Sequence, residues 1–132
     1  MNFQAPMMKP SIVESIHALR PNANWGINAG GLYWDPTNPQ PKPTEEEIQA
    51  KLEELLAQYP MDLLRRERNR RLAECDWVTL RAVSRGESVP EEWKNYMQAL
   101  RDFPSSFTSA PPLLPDEMGL DNALIEWPTP PS

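Results

Sequence analysis

Reactive side chains are scarce in this chain. It has one cysteine and one histidine, and its 5 glycines are not gathered into a phosphate-binding loop. Cys75 has no second cysteine to pair with inside the chain. Synthesis in a reducing, intracellular compartment is therefore the simplest reading, with an intermolecular disulfide left open. No apolar run approaches the roughly 20 residues that a membrane helix needs. Met1 to Pro10 holds two prolines and lacks the continuous apolar stretch of a signal peptide. These absences predict a soluble, unsecreted protein with no membrane partner.

Proline is what the chain has in excess, with 16 among 132 residues against a hydrophobic fraction of 39%. Stretches dense in proline lack backbone donors and have a fixed φ, so they form extended or irregular chain. A chain of this length holds one ordinary domain at most, or smaller pieces for which a partner supplies missing burial. The net charge of −6 argues against general binding to nucleic acid or to a membrane surface, because phosphates repel a net anion unless a basic patch overrides it.

Periodicity divides the chain into modules. Ser11 is a candidate N-cap for a short helix that sets Ile12, Val13, Ile16 and Leu19 on one side and stops at Pro21. Alternation over Asn24–Asn28, a turn at Ala29-Gly30-Gly31 and the segment Leu32-Tyr33-Trp34 predict a β-hairpin. An isolated hairpin is marginal in water, so the short helix should pack on it, or a partner's sheet edge should extend it. Residues 1–34 form this first module. Residues 35–43, with proline at nearly every second position, read as an extended, weakly packed linker.

Residues 44–104 read as an α-helical hairpin. Thr44 and Glu47 have capping-box spacing, and Glu45, Glu46 and Glu47 sit at the positive end of the helix dipole. Ile48, Leu52, Leu55, Tyr59 and Leu63 make a narrow apolar stripe. Pro60 should kink or break the helix, giving a second segment from about Met61 to Leu80. Ser88 and Glu91 repeat the capping-box spacing ahead of a helix carrying Trp93, Tyr96, Met97 and Leu100, which Phe103-Pro104 ends. Trp77 and Trp93 then read as core residues on facing helices. Residues 105–132 form an extended, Pro-rich, irregular tail with no core of its own. Within it Leu124, Ile125 and Trp127 find nothing in the sequence to bury against. The expected class is mainly α with a small β-hairpin.

No constellation for catalysis emerges, and we expect no enzyme, cofactor or metal. His17 among apolar residues reads as structural or exposed. Cys75 reads as a small buried hydrophobe, a nucleophile only if His17 folded against it. Glu45, Glu46, Glu47, Glu53 and Glu54 read as a solvated helix face and not a metal cluster. Arg65, Arg66, Arg68, Arg70 and Arg71 are the sharpest charge feature. They point around most of the helix, and 19 acidic residues elsewhere offer partners, so salt bridging or protein contact is preferred to nucleic acid.

The order Arg65, Arg68, Asn69, Leu72, Cys75, Asp76, Trp77, followed by Trp93, Tyr96, Leu100, Arg101, Asp102, Phe103, Pro104, resembles the phage tail assembly chaperone family. The ending Trp127-Pro128-Thr129-Pro130 and the front part from Ile16 to Trp25, through Trp34 to Pro41-x-Pro43-Thr44-x-x-Glu47, are similar to segments of such proteins. The chain departs from the pattern at Met97, where the family carries arginine, and in the Arg85-Gly86-Glu87-Ser88 linker. The resemblance implies a protein that binds a phage tail fibre or baseplate protein in a hetero-oligomer, in the host cytoplasm during assembly. Permanent residence in the virion tail as a structural subunit is the alternative. Arg65, Arg68, Arg70, Trp93, Tyr96, Ile125 and Trp127 are the candidate partner-binding residues, Trp127 being the preferred anchor because prolines reduce the entropy lost on docking.

Overall fold

A computed structural model describes residues 7–132, and the part of the N-terminal reading that falls on residues 1–6 lies outside them. Among the described residues the chain is mainly helical with one two-stranded antiparallel sheet. Its elements are α1 (Ile12–Leu19), β1 (Trp25–Asn28), β2 (Gly31–Trp34), α2 (Glu45–Ala73), α3 (Asp76–Arg85) and α4 (Glu91–Asp102), followed by 3₁₀ turns at Phe103–Ser106 and Asn122–Leu124. Two compact units divide at Tyr59 and Pro60, within α2. The sequence reading had set its module boundary at 35–43.

In the unit Lys9–Tyr59, Ser11 caps α1 as expected. Its Oγ accepts from the Val13 amide at 3.3 Å, and Glu14 completes a capping box by accepting from the Ser11 amide at 2.7 Å. Ile16 on the inner face of α1 is fully buried. The hairpin pairs Trp25 with Trp34 and Ile27 with Leu32. Ala29-Gly30 is its tight turn, and Gly31 follows at φ +106°, which a side chain would strain. His17 of α1 meets Trp25 edge-on at 5.6 Å, so the short helix covers the hairpin.

The proline segment is held against the hairpin by its hydrogen bonds. Asn38 receives the Asn24 amide at 2.8 Å and donates back to the Asn24 carbonyl at 2.8 Å. The Trp34 indole donates to the Gln40 carbonyl at 3.3 Å, and Arg20 Nε donates to the Pro41 carbonyl at 2.9 Å. Proline removes donors but leaves carbonyls. Side-chain donors just past α1 and on β2 take up the Pro41 and Gln40 carbonyls, and Pro43 is buried. The expectation of a weakly packed connector is corrected on this point.

α2 starts as read, with Thr44 and Glu47 exchanging hydrogen bonds at 3.1 Å each way. It does not break at Pro60, but continues to Ala73. The fixed proline φ is itself helical, and only the amide bond one turn back is forfeited. Tyr59 and Leu64, at 2% and 0% exposed, flank the site and are buried, and burial of this size outweighs one lost hydrogen bond. The break falls instead at Glu74–Cys75, so the expected segment from Met61 to Leu80 is the end of α2 plus a separate α3.

In the unit Pro60–Ser132, α3 ends in a left-handed Gly86 at φ +66°, with the Gly86 and Glu87 amides bonded to the Val83 and Ala82 carbonyls. The capping box expected at Ser88 does not form, and α4 begins after Pro90. The residue before a proline is disfavoured in helical geometry. Val89 therefore stays out of the helix, moving its start to Glu91. Cys75, Tyr96, Met97 and Leu100 form the core, with Leu72, Val89, Trp93 and Trp127 packed around it.

The tail has structure of its own. Leu113 bridges to Leu120, and the Asp121 amide bonds to the Pro112 carbonyl at 3.0 Å. Ile125 is buried, 8% exposed. Trp127 lies 4.8 Å from the Phe103 ring, its indole donates to Asn122 at 2.9 Å, and the Arg71 guanidinium sits over it at 4.4 Å. The expectation that Ile125 and Trp127 have nothing in the chain to bury against is thereby corrected. The missing signal was Phe103 and Arg71, each assigned to another role. Replacing Trp127 by Ala should lower the stability of the free protein by about 2 kcal/mol, since ring burial and a cation–π contact are lost together. Denaturant unfolding checks this, and a midpoint equal to wild type would refute it.

Candidate functional site

All seven residues expected to bind a partner are engaged within the unit Pro60–Ser132. Arg65 faces Asp62 at 3.5 Å. Arg68 Nη1 donates to the Arg101 carbonyl at 3.1 Å, a cation on the negative end of α4. Arg70 pairs with Glu67 at 2.6 Å and also with Glu74. Tyr96 is buried in the core, as Ile125 is in the tail. Trp93 and Trp127 are half-buried, and Trp93 meets Trp77 edge-on at 5.6 Å and Tyr96 at 6.0 Å. Arg71 Nε also reaches Glu67, at 3.0 Å. The basic run thus forms an intramolecular network of ion pairs.

Burial works against charge on Glu67, but the Arg70 and Arg71 guanidiniums outweigh it and hold its pKa below the usual glutamate value. A carboxylate depressed in the folded state stabilises the fold above its unfolded pKa, and that contribution vanishes as pH falls through its folded pKa. Glu14 and Glu47 are lowered too, by their bonds to Ser11 and Thr44. The melting temperature should therefore drop as pH falls below about 4.5. Glu67→Gln should melt lower at neutral pH and show a shallower acid dependence. An acid profile identical to wild type would remove Glu67 from this role.

Cys75 is 2% exposed, and its thiol donates to the Arg71 carbonyl at 3.4 Å. Burial, then the neighbouring Glu74 and Asp76, push the thiol pKa up. Such a cysteine is a poor nucleophile. A thiol reagent should label the native protein slowly and the unfolded protein fast; rapid native labelling would contradict this packing. Among the described residues, no group of three or more His, Cys, Asp or Glu is arranged to hold a metal, and no helix is long and apolar enough to cross a membrane.

α3 exposes large apolar residues that the sequence reading did not single out as a surface. Trp77, Leu80 and Val83 are 52%, 68% and 72% exposed, while Val78 and Ala82 are buried. At about 100° per residue, the first three centre on the side of the helix opposite Cys75, Val78 and Ala82. The expectation that Trp77 is core is corrected: it touches Trp93 by an edge and leaves half its surface in water. The sequence signal was two apolar sets on one ten-residue helix. Beside this face, α3 and α4 border a cleft of about 230 Å³ lined by Trp77, Val78, Arg81, Ala82, Arg85 and Trp93, among others.

Compared with known families, residues 61–132 match the model for the phage tail assembly chaperone protein. The match takes in α3, α4, the tail and the arginine network, more than half of the chain. Neither the curated proteins nor the solved structures gave a match. The chain belongs to the phage tail assembly chaperone protein family.

Proposed function

We propose that this protein is a phage tail accessory protein that binds a tail fibre or other tail protein and assists its assembly, without catalysing a reaction, through the outward face of α3. The observation that carries this reading is the exposure of Trp77, Leu80 and Val83 on one side of a helix inside the segment that matches the family. Contiguous exposed apolar surface marks interaction sites in soluble proteins. Docking such a face removes it from water at about 25 cal/mol per Å².

The candidate residues of the sequence then divide by where they are engaged. Tyr96, Ile125 and Trp127 hold the unit together, Tyr96 and Trp127 in and against the core cluster and Ile125 buried in the tail. Trp93 borders the surface through Trp77. Arg65, Arg68 and Arg70 are engaged with Asp62, the Arg101 carbonyl and Glu67, and are assigned to the fold and not to this surface.

Replacing Leu80 and Val83 together by Glu tests the face without touching the core. Co-expressed with the tail proteins, the variant should lose at least about tenfold of their capture, an interface loss on the scale of 1.4 kcal/mol or more. Its helical spectrum and melting should stay at wild-type values, because both side chains are exposed. Undiminished capture would move the binding site off α3. Mass spectrometry of purified virions separates the two modes of action: stoichiometric protein marks a retained subunit, and near absence marks a released chaperone.

A further inference from the structure

The arginines of this protein are not equivalent. Arg65, Arg70 and Arg71 each have a carboxylate partner on α2 or just past its end. Arg81 and Arg85, one turn apart on α3, have no ion pair among the described residues, although Glu87 lines the same cleft. Two like charges at this spacing repel each other. Among the described residues the pair stands beside the Trp77–Trp93 contact with no side-chain partner for its guanidinium forks.

We propose, building on the reading of α3 as the binding face, that the cleft between α3 and α4 receives an acidic peptide segment of the tail partner, with carboxylates on Arg81 and Arg85 and an apolar side chain against Trp77 and Trp93. Charge complementarity selects the occupant. The guanidinium fork matches a carboxylate in two parallel hydrogen bonds, and the indoles offer apolar surface beside it. The cleft, about 230 Å³, is smaller than the roughly 300–1,000 Å³ of ordinary ligand pockets. It suits side chains of an extended segment and not a folded element. Nucleic acid is the weaker fit, because a protein of net charge −6 repels a polyanion over its whole length, whereas a short acidic segment feels mainly the local arginines.

The test uses the full chain and a blocked, fluorescently labelled octapeptide of alternating Asp and Leu, with an Asn-for-Asp peptide as control. The acidic peptide should bind, and more weakly as salt rises. The doubly substituted variant Arg81→Gln, Arg85→Gln should bind it at least about tenfold more weakly while melting as wild type does. Trp77→Ala should weaken both acidic binding and the accompanying change in tryptophan fluorescence. Equal binding of the Asn peptide, no binding of the acidic one, or wild-type affinity in the double variant overturns the proposal. So does preferential binding of a single-stranded oligonucleotide. A wild-type dimer that the double variant dissolves overturns it too, since the occupant is then a second copy of this chain. Capture of the co-expressed tail proteins separates this idea from the broader one. If the arginine variant captures them normally and the Leu80, Val83 variant does not, α3 remains the binding face and the acidic segment is refuted. If both variants capture normally, both readings fail.

Discussion

Arg71 joins the parts of the unit Pro60–Ser132. Its guanidinium bonds to Glu67 one turn back on α2 and covers the indole of Trp127 from the tail. Its carbonyl accepts the thiol of Cys75, where α2 gives way to α3. Burial raises the Tyr96 phenol pKa, and Arg71 beside it works against that rise. One side chain and its own backbone thus touch the end of α2, the start of α3, the middle of α4 and the tail. An arginine can do this because its planar head pairs with a carboxylate at its edge while its face stacks on an aromatic ring, and its stem stays apolar. Lysine would keep the charge and lose the stacking.

That arrangement answers the constraint set by composition. With 39% hydrophobic residues and 16 prolines the chain has little with which to build a core. The buried cluster of Cys75, Tyr96, Met97 and Leu100 is correspondingly small. Its margins are completed by residues that are polar at one end and apolar at the other: Trp93, Trp127 and the arginine over it. The prolines of the tail fix an extended path at low entropic cost, so the aromatic near the end of the chain returns to a core that the helices alone leave partly open.

Local signals in the sequence carried most of the fold. The caps at Ser11 and Thr44, the hairpin around Gly30 and the stop at Phe103 depend on residues a few positions apart, and each was readable. The departures share a physical cause, because they are contacts between residues far apart in the chain or contests between two local rules. At Pro60 the rule against proline in a helix lost to burial of Tyr59 and Leu64. At Ser88 the capping spacing lost to the restriction that Pro90 places on Val89. The packing of Trp127 on Phe103 and Arg71 spans more than twenty residues in one case and more than fifty in the other, and no periodicity reports it. Of the candidate surface, Trp77 and Trp93 were singled out, while Leu80 stood only as the end of the expected segment and Val83 lay beyond it.

Exposure on α3 follows from the same competition. A helix of ten residues has room for one apolar face against a small core, and Val78 and Ala82 occupy it with Cys75 just before them. Any further large apolar residue on so short a helix must face water, and Trp77, Leu80 and Val83 do. Substituting polar residues at Leu80 and Val83 would leave the internal packing untouched, so the fold itself gives no reason for their apolar character. The charges divide in a parallel way. Arginines on α2 neutralise nearby glutamates and steady the helix end, whereas Arg81 and Arg85 neutralise nothing among the described residues. Apolar side chains that the core does not use and cations that no carboxylate satisfies thus fall on one short helix. On the reading proposed here, that helix is where the protein's interactions are left to be completed by another chain.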